Sequence, residues 1–388
     1  MRCQSEFREK LVDKGLFETN AREYVQNIRD IGEVVIWGTG SGAIMVYDFL
    51  KEYNVNHCIK CFADNSKAKW GTNLNGIKIL SPDQIVEMNE SSKSIYIIIA
   101  SQYMEIKRQL LSLGISESNI DVKGIGIAKA YATYREETAY SIIEKNIDEY
   151  EKVYSYLADE RSKEIYLGIL NYKISLNNDY LKGIEDLTVN QYFAKDIVKL
   201  SETEVFCDCG SFNGDTLEIF KKITNGKYKK YIAIEADSNT YIELNENIKR
   251  NQLTNVDTYN MACWDKKDVL KFQSQLTAGH ITSDGGVSIN ADSLDNVLKG
   301  EEITFIKMDI EGAEEKALIG AAEIIRKQKP ILAICLYHDL EHFYKLPLIM
   351  KTLNDEYSLY VRHYMEMIDS ETVCYAIPKN RIIERNPK

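Results

Sequence analysis

The chain has 388 residues, a formal net charge of −11 and a pI near 5.2. That balance argues against a nucleic-acid backbone as partner, because phosphate recognition needs a basic footprint. No apolar run reaches the length of a membrane span, and no basic, apolar leader opens the sequence, so neither a span nor a signal peptide is expected. The length suits two or three domains. Of the eight cysteines, Cys58, Cys61, Cys207, Cys209, Cys263, Cys335 and Cys374 lie in apparent strands. They read as buried, reduced thiols of a cytoplasmic protein.

Residues 5–30 carry Phe7, Leu11, Leu16, Phe17, Tyr24, Val25 and Ile28 at helical spacing. This stripe is read as core or homodimer contact and not as a membrane anchor. A short strand, Glu33–Trp37, then leads into Gly38-Thr-Gly40-Ser41-Gly42-Ala43 and a helical run, Ile44–Tyr53. A second strand, Cys58–Ala63, ends at Asp64, and a third apolar run covers Ser94–Ala100. This is a βαβ nucleotide-binding pattern. Gly38, Gly40, Ser41 and Gly42 are the candidate diphosphate contacts, and Asp64 stands where a ribose hydroxyl would bind. The competing reading is a Rossmann-like domain that keeps its glycines for turn geometry alone. Cys58-x-x-Cys61 has no second pair at zinc spacing and reads as core packing. The first boundary falls near Lys123–Ala130. The expected division is a Rossmann-like domain at 1–125, a helical, Tyr-rich connector or lid at 126–200 and a second α/β domain at 201–388.

The second α/β domain begins with Glu204–Phe220, EVFCDCGSFNGDTLEIF. Its strand ends at Asp208, with Gly210 and Gly214 in the turn before a helix. Glycines let backbone approach a ligand, and the helix start offers free N–H groups. The spacing differs from the dinucleotide Gly-x-Gly-x-x-Gly pattern. The next strand, Tyr231–Ile234, ends in Glu235, an acid placed to accept both hydroxyls of a ribose. A third, Val256–Ala262, ends near Cys263 and Trp264. A fourth, Thr304–Met308, ends in Asp309, with Glu311 and Gly312 following at once. A fifth, Ile331–Leu336, ends at Tyr337–His338. Strands at Ser358–Tyr364 and Thr372–Ile377 close the domain as antiparallel neighbours. The fold class is therefore α/β, with two doubly wound Rossmann-like sheets, the second ending in an antiparallel pair.

Residues 150–380 resemble the FkbM-type methyltransferase family. The resemblance rests on VFCDCGSFNGDT, IAIEADSNTYIELNENI, SLDNVL and FIKMDIEGAEEKALIG, with LADERSKEIYLGILNYK and QYF as lead-in segments. It implies a class I methyltransferase fold, S-adenosylmethionine as cofactor and a hydroxyl of a sugar or polyketide-type compound as acceptor. It also implies that Asp208, Gly210 and Gly214 lie along the methionine part and that Glu235 holds the ribose. Ala262 and Cys263 would lie near the adenine. Ser211, Phe212, Thr216, Ala236 and Asp309 complete the expected cofactor contacts. The stretch CFADNSKAKWGTNLNGIKILSPDQIV is similar to small Rossmann-like domains on sugar-nucleotide-modifying enzymes, which implies a nucleotide-sugar as part of the acceptor.

An alcohol is a poor nucleophile at neutral pH, so a base should take its proton. His338 is the first expected base and Asp309 the second, with Glu311 orienting the acceptor. A divalent metal bridging Asp309 and Glu311 is compatible with the pattern, but no metal is expected. Tyr192 and Tyr337 suit stacking on a sugar face. His338-Asp-Leu-Glu341-His342 matches a metalloprotease pattern, but it directly follows a strand, and Glu341 and His342 read as ordinary residues of the next helix. Two rival functions are a non-catalytic nucleotide-sugar-binding scaffold and an NAD-dependent oxidoreductase acting at Gly38–Ala43.

Overall fold

Strands such as Val34–Trp37 and Val205–Cys209 are buried at every position, which is stable only where helices cover both faces of a sheet. The computed structural model describes residues 5–91, 95–101, 103–187, 191–273, 279–282, 285–366 and 368–383. Ser94, expected to open a strand, lies outside them. The chain divides into two compact units. Unit 1 comprises 1–145, 167–183 and 366–369, and unit 2 comprises 146–166, 184–365 and 370–388. No described helix is long and apolar enough to cross a membrane.

Unit 1 holds β1 (Val34–Trp37), β2 (Ile59–Ala63), β3 (Asn73–Leu74), β4 (Ile77–Leu80), β5 (Tyr96–Ile99) and β6 (Ile120–Asp121). Their order is β3-β4-β2-β1-β5-β6, parallel except for the β3–β4 hairpin. The helix after β1, Ser41–Glu52, buries Ala43, Val46, Phe49 and Leu50 along one stripe. The N-terminal stripe is core within this unit: helix Leu16–Ile31 buries Phe17, Ala21, Val25 and Ile28. The seven described cysteines are all free and buried.

Unit 2 carries a seven-stranded sheet of order β16-β17-β15-β14-β7-β8-β9. In chain order these are β7 (Val205–Cys209), β8 (Lys230–Glu235), β9 (Val256–Asn260), β14 (Phe305–Met308), β15 (Ile331–Cys335), β16 (Ser358–His363) and β17 (Thr372–Ile377). Only β17 runs antiparallel to its neighbours. The α/β class and the reversed closing strand are as expected, but one expected strand is corrected. Val256–Ala262 stops at Asn260, and Ala262–Cys263 (β10) joins a separate sheet with β11 (Asp268–Gln273), β12 (His280–Thr282) and β13 (Val287–Asp292). This four-stranded sheet was not legible because its strands are short and largely polar on their outer face, as the mostly exposed β11 shows.

Arg362 on β16 is a buried clamp in unit 2. Its guanidinium lies 2.8 Å from Asp159 and 2.5 Å from Asp196, and it donates to Ser162 Oγ at 2.9 Å. Burial pushes the Asp159 carboxyl up, but Arg362 and Ser162 outweigh it and hold its pKa at about 2. The folded value lies below the usual carboxylate value of about 3.9. The pair therefore stabilises fully above about pH 4 and loses that contribution as pH falls towards 2. Arg362→Met should cost about 3 kcal/mol at pH 7 in urea unfolding, because it strands the largely buried Asp159 carboxylate. The variant should also lose less stability than wild type between pH 4 and pH 2.5. Equal unfolding midpoints at pH 7 would show that the clamp is dispensable.

Candidate active site

The carboxyl ends of β7, β8 and β14 meet around a cavity of about 520 Å³. A buried ion pair sets the spacing of two of these ends. Asp208 is fully buried, and its Oδ1 lies 2.9 Å from Lys307 Nζ across the β7–β14 ladder. Tyr231 on β8 donates to Asp208 Oδ2. Lys307 also donates to Gly210 O at 2.6 Å and sits 5.0 Å from the centre of the Tyr192 ring. Burial disfavours the Lys307 charge, yet Asp208 and Asp309 more than restore it and raise its pKa. Asp208 thus serves the ion pair and does not line the cavity, unlike Gly210, Phe212 and Thr216 nearby. Gly210 has φ +80°, and a Cβ there would stand 1.9 Å from Asp309 O, so only glycine fits. Ser211 is buried and ties the turn to β8, accepting from Ile234 N at 3.0 Å. Gly214 takes φ +92° as the cap of helix Asp215–Ile223.

Glu235 ends β8 at the cavity wall. Its Oε2 accepts from Phe212 N at 2.9 Å and its Oε1 from Asp237 N at 2.8 Å. Burial raises its pKa, and these two N–H groups oppose the rise. Two backbone donors leave further lone pairs on the same carboxylate for a ligand's hydroxyls. Ala236, Ala262 and Cys263 line the same side. Phe272 and Ile281, from the small sheet, add an apolar wall that sequence reasoning did not anticipate.

The opposite side is acidic. Asp309 accepts from Tyr192 Oη at 2.7 Å and from Tyr337 Oη at 2.9 Å. Burial pushes its carboxyl up, but Lys307, His338 and the two phenols hold it below the usual range. Glu311, at φ +55°, also lines the cavity. The His338 ring is buried among three acids. Its Nε2 is 3.4 Å from Asp309 Oδ1 and 3.4 Å from Glu311 Oε2, and its Nδ1 is 3.0 Å from Glu314 Oε1. Burial works against the imidazolium, but Glu314, Asp309 and Glu311 prevail and raise its pKa to about 9. Glu341 pairs with Lys345 at 2.6 Å on the following helix, whereas His342 turns back to Glu314 at 3.6 Å.

Sequence reasoning missed Glu371, just before β17. It lines the cavity and accepts from Gln191 Nε2 at 2.5 Å. Burial and the neighbouring Asp309 raise its pKa to about 7. No motif marks it, because its place at the cavity depends on the pairing of β16 with β17, which the linear sequence does not show.

In unit 1, Asp64 is already engaged. It takes Thr39 Oγ1, Ser66 N at 2.8 Å and Lys69 Nζ at 2.9 Å. A Cβ on Gly42 would meet Ala100 O at 2.4 Å, and one on Gly38 would meet Ser101 Cβ at 3.0 Å, so both glycines serve packing. A Cβ on Gly40 would meet nothing within 4 Å. Ser41 begins the helix.

Residues 208–364 match the family model of the methyltransferase FkbM domain. This part of the chain is an FkbM methyltransferase domain. The match bears out the expected family and, with it, S-adenosylmethionine as cofactor. Residues 31–121 match a second family model, C2185-like, N-terminal. Among solved structures, methyltransferase FkbM from Methylobacillus flagellatus KT is similar over 94% of this chain and 100% of its own, with 20% identity and a TM-score of 0.61. A putative methyltransferase from Streptococcus mutans in complex with SAH covers 47% of this chain and 93% of its own, at 13% identity and TM-score 0.31. No curated protein matches. The first likeness supports the fold, and the domain match supports methyl transfer by the FkbM domain.

Lys307→Met should cost the domain about 3–5 kcal/mol in chemical denaturation, because it leaves Asp208 buried and unpaired. Replacing both partners, as Asp208→Leu with Lys307→Met, should recover part of that loss. Additive losses in the double variant would show that the two side chains act independently.

Proposed function

We propose that the FkbM domain transfers a methyl group from S-adenosylmethionine to a hydroxyl of a sugar or nucleotide-linked sugar. The observation that carries this reading is the two-sided cavity, with a carboxylate suited to a ribose on one side and phenols and acids around an acceptor position on the other. Three features fit the donor: the volume of about 520 Å³, within the usual range for small-molecule sites; the bare backbone at Gly210; and Glu235 with spare lone pairs. When bound, S-adenosylmethionine would supply an electrophilic methyl: a new C–O bond to the hydroxyl oxygen would be balanced by cleavage of the C–S bond, its electron pair staying on sulfur, and the hydroxyl proton would have to be taken up.

The chain's residues divide this work. Glu235 and the Gly210–Phe212 turn hold the ribose and methionine parts of the donor. Tyr192, Tyr337 and Tyr364 line the cavity, where aromatic side chains suit packing against a polyol. Proton uptake falls to Glu371. His338 was the first expectation, but with a pKa of about 9 it already carries a proton at neutral pH. Asp309 is too acidic to be an effective base and instead aligns Tyr192 and Tyr337. Glu371, at about 7, is matched to the operating pH and is oriented by Gln191. Asp309, His338 and Glu311 are charged neighbours that act on Glu371, and Lys307, Tyr192, Tyr337 and Tyr364 line the same cavity.

Glu235→Ala should weaken S-adenosylmethionine binding by roughly ten- to a hundredfold in calorimetry, by loss of a charge-assisted hydrogen bond. An undiminished affinity would remove Glu235 from the donor site. Glu371→Gln should lower kcat by roughly 10²–10⁴ with donor affinity near normal. Because Glu371 must be ionised to accept a proton, wild-type kcat/KM should rise with pH to a plateau above about 7. The variant should lack that limb. An ascending limb near 9, retained in Glu371→Gln and lost in His338→Ala, would return the role to His338.

A further inference from the structure

The reading above leaves a cluster unexplained. His338, its side chain only 7% exposed, stands inside a ring of carboxylates, and neither ring nitrogen makes a hydrogen bond among the described residues. Glu314 is fully buried, with Oε2 also lacking a hydrogen bond, and its Oε1 accepts from Ile310 N at 2.9 Å. Asp309, Glu314 and His338 each offer a ligand atom within 4.8 Å of one another. Gathering several buried acids about one imidazole is costly unless a cation joins them, whether the imidazolium itself or a metal ion that takes the place of its proton.

We propose that Asp309, Glu311 and His338 bind a divalent first-row transition metal at the edge of the cavity, with Glu314 orienting the imidazole. The separations of 3.4 Å from Nε2 to Asp309 Oδ1 and 3.4 Å from Nε2 to Glu311 Oε2 put each carboxylate, taken singly, at the spacing from the imidazole nitrogen that two ligands of one ion show with bonds of about 2.1–2.3 Å. The far ring nitrogen, Nδ1, faces Glu314 Oε1 at 3.0 Å, the carboxylate–histidine arrangement that sets the ring's tautomer and angle in metal sites. His342 Nδ1 lies 3.6 Å from Glu314 Oε2 on the other side of that carboxylate. One imidazole with carboxylates favours Mn²⁺, Fe²⁺ or Zn²⁺ over Mg²⁺ and Ca²⁺, which prefer oxygen alone. Bound there, the cation replaces the proton that His338 otherwise holds. Asp309 and Glu311 line the cavity, so the cation borders the acceptor and lowers the pKa of a hydroxyl that reaches it. This use in catalysis rests on the methyl-transfer reading; cation binding itself does not.

The test is titration of chelator-treated full-length protein with Mn²⁺, following free Mn²⁺ by electron paramagnetic resonance. One saturable equivalent is expected, displaced by Zn²⁺. His338→Ala and Glu311→Gln should each weaken uptake at least tenfold, and Glu314→Gln by roughly ten- to a hundredfold. Glu311 is partly exposed, so its variant tests the site even if a buried one misfolds, which circular dichroism reveals. Absence of stoichiometric uptake, or uptake unchanged in both His338→Ala and Glu311→Gln, overturns the proposal. Calorimetry with S-adenosylmethionine in chelator separates the two readings. Donor binding without Mn²⁺ uptake sinks the metal site alone, and Mn²⁺ uptake without donor binding sinks the donor assignment alone.

Discussion

The FkbM domain depends on one buried ion pair, Asp208–Lys307, at the tips of β7 and β14. A charge taken out of water is tolerated only when paired and hydrogen-bonded. Here Tyr231 and the Gly210 carbonyl complete the shell, and the Tyr192 ring covers the ammonium. The pair therefore links three strand ends, the glycine turn and a wall of the cavity. It also explains why Gly210 has no room for a side chain: the turn is drawn against the Asp309 backbone.

That arrangement leaves an excess of negative charge. Glu235, Asp309, Glu311 and Glu371 all line the cavity, and Glu314 lies behind it. Different neighbours give them different tasks. Two backbone N–H groups hold Glu235, two phenols and nearby cations keep Asp309 ionised, and burial beside Asp309 leaves Glu371 near neutrality. Such separation of acid strengths within one cleft is what distinct binding and proton-transfer roles require. A cationic donor, and a metal at His338, would each bring positive charge into the same space.

Much of this was legible before any tertiary information. Strand ends at Asp208, Glu235 and Asp309 follow from apolar runs stopped by an acid, with a glycine close behind Asp208 and Asp309, and such ends face one crevice in a parallel sheet. Roles were less legible than positions. Asp208 looked like a ligand contact and is an ion-pair partner, because Lys307, nearly a hundred positions away in sequence, lies beside it only once β7 and β14 pair. Asp64 looked like a ribose acid and is held by Thr39 and Lys69. Phe272, Ile281 and Glu371 carry no local signal at all.

The sequence by itself determined the class of the fold, the family and the strand ends that would carry chemistry. The fold class and the strand ends are written in local periodicity and in turn residues whose geometry few other residues can adopt, and the family in the resemblance of motifs such as FIKMDIEGAEEKALIG. Only the tertiary structure decided which acid is held by backbone N–H groups, which is paired with a lysine and which is pushed towards its protonated form by burial. Acid strength depends on burial and on charges brought close by strand pairing and turns, and those distances are absent from the linear chain. His338 shows the difference most clearly: its place after β15 could be read from the pattern, but three carboxylates from β14 and the helix that follows determine what its ring can do.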